Sequence, residues 1–293
     1  MRCSEASKLL EGFRTHELGK LEYRQMAAHV AVCGRCAGEL AEITCLADDM
    51  TRLHVEAPAA ILDQVRQKTC DRYSDLETDL GRFWVGFSFR GVTMVFLQPT
   101  ESEKFEDIYR HRYGRRPIRG DLPGTYAGAI TRAAAGKAPP SVPLDLSAVS
   151  GFEQKALLLL RKIPRGQVRP YGWLAREAGH PQAVRAVGNA MARNPVPLLL
   201  PCHRVVPAAG GVGRYAFGPA LKRELLVREG APVEEIERYA REGVRYIGCK
   251  TTRIYCLPSC CDAQRVQSEN RVLLTGTADA VRAGFRPCRH CKP

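Results

Sequence analysis

No run of this 293-residue chain approaches the roughly 20 consecutive apolar residues that a membrane-spanning helix requires. The amino terminus also lacks the apolar core of a secretion signal, since MRCSEASKLLEGF carries charges where that core would sit. These two absences lead us to expect a cytoplasmic protein without a membrane partner. Acidic residues are short as well: 31 Asp and Glu face 44 Lys and Arg, a net charge of +13. That deficit favours an anionic partner, DNA first. The middle of the chain is nearly empty of cysteine, with only Cys70 and Cys202 between the two ends. The other thiols gather at positions 3, 33, 36 and 45 and at 249, 256, 260, 261, 288 and 291. In a reducing compartment such clusters exclude a disulfide scaffold and mean metal ligation or reactive thiols.

The isolated Cys202 lies in PCHRVV, beside His203 and between apolar runs. A cysteine in that setting is usually an inert core residue. The neighbouring imidazole changes the reading, because a base that draws off the thiol proton makes the reactive thiolate. At the amino terminus, His29-x3-Cys33-x2-Cys36 puts two ligands four apart on one helical face and the third on the next turn. Cys3 offers a fourth ligand for a closed tetrahedral site. Cys45 falls outside this spacing and reads as a packing residue. At the other end, Cys256-x3-Cys260 and Cys288-x2-Cys291 are two chelating pairs 27 residues apart, the pattern of a four-cysteine zinc site.

Between the clusters the periodicity changes. Two short helices are expected at Ser4 to Phe13 and Glu22 to Ala31, then a polar helical connector with LDQVRQK as its clearest stretch. From Phe83 to Phe89 and Val92 to Leu97 the pattern is that of a hairpin turning at Arg90-Gly91. Helices follow near Glu101 to Tyr113 and Thr125 to Ala135, then a proline-rich crossing from Lys137 to Pro143, then a mostly helical stretch from Phe152 to Glu229.

The segment RAVGNAMARNPVPLLLPCHRVV, continued by VGRYAFGPALKRELLVREG, resembles the active-site domain of O6-methylguanine-DNA methyltransferases, and GQVRPYGWLA extends the likeness toward residue 150. RYIGCKTTRIYCLPSC, ENRV and AGFRPCRHCKP resemble the zinc-binding methyl-acceptor domain of the Ada family. Residues 1 to 48 resemble zinc-binding anti-sigma factors. These resemblances imply a multidomain α+β protein. Its parts are an N-terminal helical zinc finger (1–48), a helical connector (49–80), a small RNase H-like sheet domain (81–146), a helical, winged helix-turn-helix-like catalytic DNA-binding domain (147–232) and a small four-cysteine zinc domain (233–293).

The implied function is single-turnover repair, in which Cys202 takes the methyl group of O6-methylguanine in duplex DNA. His203 would be the base, Glu229 its support, Asn194 the hinge, and Tyr171 the residue that helps turn the nucleotide and protonates guanine. Arg185 would fill the gap left by the extruded base. A recognition helix from Gln182 to Ala192 would lie in the minor groove, with the small residues Ala186, Gly188 and Ala190 allowing close approach. Tyr215 would line the pocket, and Phe217 beside it points to methyl as the substrate. Cys256, held with Cys260, Cys288 and Cys291, would accept methyl from a methylphosphotriester, with Arg253, Arg265, Arg271, Arg286 and Arg289 suited to phosphates. Arg253 stands where that family often has glycine. The implied cofactor is zinc, one ion at each end, the first held by Cys3, His29, Cys33 and Cys36. A monomer is expected, with a protein partner open for the amino-terminal finger. The competing class is an alkylation- or redox-responsive sensor. A non-catalytic damage-recognition protein is disfavoured by the presence of Cys202.

Overall fold

The computed structural model describes residues 1–52, 65, 69–98 and 105–293, which form two compact units, Met1–Gln64 and Val65–Pro293.

The first unit is helical: α1 (Cys3–Ala6), α2 (Leu10–Arg14), α3 (Lys20–Val32) and α4 (Gly34–Arg52). Ala6, Leu10, Met26 and Cys36 are fully buried at its centre. The expected single helical face through His29, Cys33 and Cys36 does not form. Cys33 leaves the helical region (φ −107°, ψ 97°) to cap α3, its amide bonded to the His29 carbonyl. Its own carbonyl accepts from Ala37, so it also opens α4. The 19-residue helix α4 was not anticipated, and it carries Cys45 on its exposed side rather than in the packing.

The second unit begins with a sheet. Strands β1 (Arg72–Thr78), β2 (Gly81–Ser88) and β3 (Gly91–Leu97) form an antiparallel meander, after which come α5 (Phe105–Tyr113), β4 (Ile118–Arg119) and α6 (Gly124–Ala134). β4 pairs parallel to β1, giving the order β3-β2-β1-β4. The hairpin matches expectation, but β1 replaces the end of the expected helical connector. RYSDLET shows little apolar alternation, and its pairing along the whole length of β2 decides the outcome. The LDQVRQK stretch lies, except for Val65, outside the described residues.

The edge strand β3 is spent on binding the rest of the unit. Val92 donates to the Pro143 carbonyl (3.0 Å) and Val95 to the Pro195 carbonyl (2.8 Å). The proline-rich crossing is thereby pinned beside Gly91, where a side chain would collide with the Pro143 carbonyl and where φ is +139°. Phe83, Val85 and Val95 of the sheet and Leu157, Leu174 and Leu225 of the helices share one apolar core.

The helices that follow are α7 (Gly151–Leu159), opened by a Ser150–Glu153 capping box, α8 (Tyr171–Glu177) and α9 (Val184–Ala192). α8 is preceded by β5 (Arg169–Pro170), which pairs parallel to β6 (Val205–Val206). α10 (Pro219–Arg228) starts with Pro219 at its first position after Gly218, whose φ of +90° suits the sharp entry.

Helix α11 (Val233–Arg241) then packs Ile236 against Val168, Val206 and Leu226 and carries Tyr239 into the terminal module. That module contains β7 (Tyr246–Cys249), β8 (Ile254–Cys256), α12 (Cys261–Gln264), β9 (Arg271–Leu274), α13 (Thr277–Arg282) and β10 (Arg286–Pro287), with strand order β10-β8-β7-β9. Gly248 is required there because the Phe285 ring lies where a Cβ would be (2.7 Å).

Among the described residues no helix is long and apolar enough to cross a membrane.

Candidate functional site

The chain from Pro195 to Arg204 makes a tight, buried turn that ends in one 3-10 turn, Cys202–Arg204. Leu198 takes a left-handed conformation (φ 74°), costly for a leucine, with the whole turn packed around it. Asn194 closes the turn on itself: Nδ2 donates to the Leu200 carbonyl (2.8 Å), and Oδ1 accepts from the Val196 amide (3.1 Å).

Cys202 is 6% exposed and His203 1%. His203 Nε2 lies 3.0 Å from Glu229 Oε1, at the end of α10. Arg204 grips the same carboxylate through Nε (2.8 Å) and a terminal nitrogen (2.7 Å), while its other terminal nitrogen donates to the Ile163 carbonyl. Burial alone would raise the Glu229 carboxyl, but hydrogen bonds from His203 and Arg204 outweigh it and bring it down to about 2. Burial pushes His203 below its usual value despite Glu229. The relay therefore rests as a neutral imidazole against a carboxylate whose charge Arg204 balances. Nδ1 of His203 has no protein partner and is the ring nitrogen left to take a proton. Burial raises the Cys202 thiol, opposed by the nearby Asn194 side chain and the Lys222 charge.

The remaining candidates surround this centre or its approach. Tyr171 opens α8, and its hydroxyl is raised by burial and then by the field of Cys202. Tyr215 is partly buried, with its hydroxyl enclosed and close to Cys202. Phe217 packs edge-on against Phe83, Phe96 and Tyr215, which ties its loop to the sheet.

α8 and α9 follow one another in the chain and pack together, with α9 starting at Val184, two residues later than expected. Arg185 and Ala186 are exposed on α9, and a Cβ on Gly188 would meet nothing within 4 Å. Ala190 is 1% exposed and belongs to the core, not to the open face. Sequence reasoning missed Arg204 and Lys222. The signal for the first was present, a charged residue inside the apolar PCHRVV. That for the second was its seven-residue offset from Glu229 in one helix.

Two thiol groups lie elsewhere, and their atoms approach one another within 4.8 Å in each. Cys256, Cys260, Cys288 and Cys291 are all buried. The Leu257 and His290 amides donate to Cys291 (3.4 Å) and Cys288 (3.3 Å), as is common around metal thiolates. A nearby buried cation, Arg169, has no partner for its Nε and feels the field of this cluster. Four sulfurs with amide donors and a countercharge fit zinc.

A cavity of about 450 Å³ opens beside Cys256, lined also by Thr251, Thr252, Asp262 and Arg265. Cys249 lines it too, its thiol lowered to about 7 by the Thr251 and Thr252 hydroxyls. Arg265, Arg286 and Arg289 are exposed, but Arg271 is committed internally to Glu235 (2.8 Å). Arg253 holds φ +53°, which accounts for the glycine its position would favour.

In the first unit Cys3 Sγ lies 3.7 Å from Cys33 Sγ, and His29 Nε2 lies 3.3 Å from Cys36 Sγ. Burial pushes Cys36 up to about 11, and the Cys36 amide pulls the Cys33 thiol down.

A buried thiol next to an imidazole that a carboxylate orients defines a cysteine-nucleophile centre. Comparison with known proteins narrows the class. The family model of the 6-O-methylguanine DNA methyltransferase DNA binding domain matches residues 151–231, and that of the metal binding domain of Ada matches 237–293. The methylated-DNA–protein-cysteine methyltransferase of Salmonella typhimurium is 34% identical over 161 residues, 53% of this chain and 93% of that protein. The human protein of the same name is 54% identical over 72 residues, 25% of this chain and 35% of the relative. The bifunctional transcriptional activator/DNA repair enzyme Ada of Escherichia coli is 32% identical over 162 residues, 54% of this chain and 45% of Ada. The chain thus spans about a third of the human relative and under half of Ada. It belongs to the methylated-DNA–protein-cysteine methyltransferase family.

Proposed function

We propose that this protein repairs alkylated DNA by transferring the methyl group of O6-methylguanine to its own Cys202, once per molecule. The observation that carries the reading is the buried Cys202–His203–Glu229 relay locked by Arg204. The Cys202 thiol gives its proton to His203 Nδ1, through one bridging water. The sulfur then forms a bond to the methyl carbon as the bond from that carbon to guanine O6 breaks, and Tyr171 supplies a proton to the departing base. Glu229 keeps Nε2 occupied, so that the free nitrogen faces the thiol side, and it stabilises the imidazolium. Asn194 fixes the turn, and Tyr215 lines the pocket.

A methyl group inside a base stack is out of reach of a buried thiol, so the nucleotide must be extruded, at a cost of a few kcal/mol. Arg185 would fill the gap, with α9 in the minor groove and Ala186 and Gly188 at the closest approach. The exposure of Arg185 and Ala186 and the open space beside Gly188 support that role. The strand order β3-β2-β1-β4, with β4 parallel to β1, suits the RNase H-like half of such a protein.

Cys256 would take a methyl from a methylphosphotriester bound in the adjoining cavity, with Arg265 toward the phosphate. Zinc on the four cysteines would supply a fixed thiolate at neutral pH. The grouping of Cys3, His29, Cys33 and Cys36 supports a second zinc, and with it a separate binding role for the first unit as a sensor or partner surface. Double-stranded DNA carrying either lesion is the partner, with a monomeric protein inside the cytoplasm.

The test is peptide mass spectrometry after incubation with a duplex containing O6-methylguanine. The peptide holding Cys202 is expected to gain about 14 mass units, one methylene by the chemistry of thiol methylation. An unmodified Cys202 after guanine repair would refute the assignment.

A further inference from the structure

Helix α10 brings a second ionisable side chain to the Cys202 turn. Lys222 precedes Glu229 by seven residues, so the two project from one side of the helix about two turns apart. Lys222 is 1% exposed. Its ammonium donates to the carbonyls of Val205 (2.6 Å) and Arg214 (3.2 Å). Among the described residues, no carboxylate pairs with it, and the third N–H of the ammonium has no protein acceptor.

A buried cation held only by carbonyls is costly unless a negative charge faces it. Glu229 already carries both His203 and Arg204. The other groups close to Cys202 are Asn194, Tyr171 and Tyr215, none of which is charged at neutral pH. The negative charge that Lys222 can meet is therefore the thiolate. In agreement, burial draws the ammonium down to about 8, and the field of Cys202 pulls it back up.

Building on the repair reading, we propose that Lys222 is the counter-cation of the Cys202 thiolate, a positioning residue that holds negative charge on the sulfur inside an otherwise neutral, buried pocket. His203 accounts for where the proton goes, and Lys222 for why the charge stays. During transfer the negative charge leaves sulfur for guanine O6 as the S–C bond forms and the O–C bond breaks, so Lys222 acts before that step.

The experiment reads Cys202 alone, without DNA. Carboxamidomethylation of Cys202 by iodoacetamide is followed by peptide mass spectrometry between pH 6 and 9.5 in the full-length protein, Lys222→Gln, Lys222→Met and Lys222→Arg. Gln keeps a donor for the Val205 carbonyl without the charge, Met keeps neither, and Arg keeps the charge. At pH 7 the Gln and Met variants are expected to react about tenfold more slowly, the effect of one pKa unit on the thiolate. The deficit should shrink toward unity as pH rises and the thiol ionises unaided, and Arg should stay within about threefold of the parent. Equal rates in Gln and the parent, or a deficit unchanged across pH, would overturn the proposal, since a purely structural lysine gives one of those results. Methyl transfer from O6-methylguanine duplex is run alongside on the parent protein. If Cys202 gains no methyl there while the iodoacetamide rates still depend on charge at position 222, the repair reading fails and the counter-cation stands.

Discussion

The two buried acceptor candidates, Cys202 and Cys256, sit in one compact unit and approach the same chemical need by opposite routes. Both must be thiolates while shielded from water, where burial alone keeps a thiol protonated. Cys202 has protein groups around it: an imidazole beside it, a carboxylate and guanidinium behind that, and an ammonium on the neighbouring helix face. Cys256 has three other sulfurs, which can all be ionised together only around a cation. The first solution depends on side chains from three segments held in register by the fold. The second depends on four ligands and a metal. A relay is therefore sensitive to every member and indifferent to chelators, and a metal centre is the reverse.

The largest effect expected concerns Cys202→Ala, which should abolish methyl removal from O6-methylguanine while DNA affinity stays within about twofold, because base-edge and backbone contacts are separate from the thiol. Methylation of Cys256 should persist in that variant, and a fluorescence binding titration with peptide mapping reads both. Next is Glu229→Gln. Loss of a general-base support typically slows such chemistry by about a hundredfold, and single-turnover rates should show this at Cys202 but not at Cys256.

The same carboxylate also gives the relay a pH dependence. Its folded value of about 2 lies below the ordinary carboxylate range, so its stabilising contribution is present above pH 4.5 and lost as pH falls toward 2. That contribution is on the order of 3 kcal/mol. Acid unfolding followed by circular dichroism should shift to higher pH in Glu229→Gln only if other carboxylates dominate; loss of the steep segment between pH 4.5 and 2 is the expected result.

A smaller effect is expected at the seam between the two centres. The Ser259 hydroxyl is buried, accepts from the Val168 amide (2.9 Å) and donates to its carbonyl (3.3 Å). Ser259→Ala leaves both groups unpaired and should cost about 1–2 kcal/mol in denaturant titration, loosening the zinc module from β5. The smallest concerns Arg253→Gly, which relieves a left-handed residue at the expense of the contact between Arg253 and the Phe285 ring (5.5 Å). Stability should change by less than about 1 kcal/mol. A loss of several kcal/mol would show that the ring contact, not the backbone, governs that turn.

The two centres also differ in how far they could be read from sequence. The four-cysteine pairs and PCHRVV are local patterns whose chemistry follows from spacing, and both appear in the structure as compact groups. Glu229 was placed by resemblance, and its contact with His203 is a long-range one that no periodicity reveals. Arg204 and Lys222 escaped because a charged residue in an apolar context reads as an anomaly until its partner is known. β1 escaped for a related reason: the polar RYSDLET becomes a strand through pairing with β2, not through its own pattern. At the amino terminus Cys3, His29, Cys33 and Cys36 lie close together, but the helix breaks at Cys33, so they converge from separate helices and not from one face. Ala190 was assigned to the open side of α9 when the neighbouring helices needed it inside.

The contrast between a relay and a metal centre is tested most directly in one tube holding duplex with both O6-methylguanine and a methylphosphotriester, with and without a strong zinc chelator applied beforehand. Peptide mass spectrometry then counts methyl groups on Cys202 and on Cys256. The expected result is methylation of both without chelator, and with it loss at Cys256 while Cys202 retains at least about half its methyl, since its thiolate is made by His203 and its neighbours. Loss at both sites, or at neither, would contradict the division of labour between them.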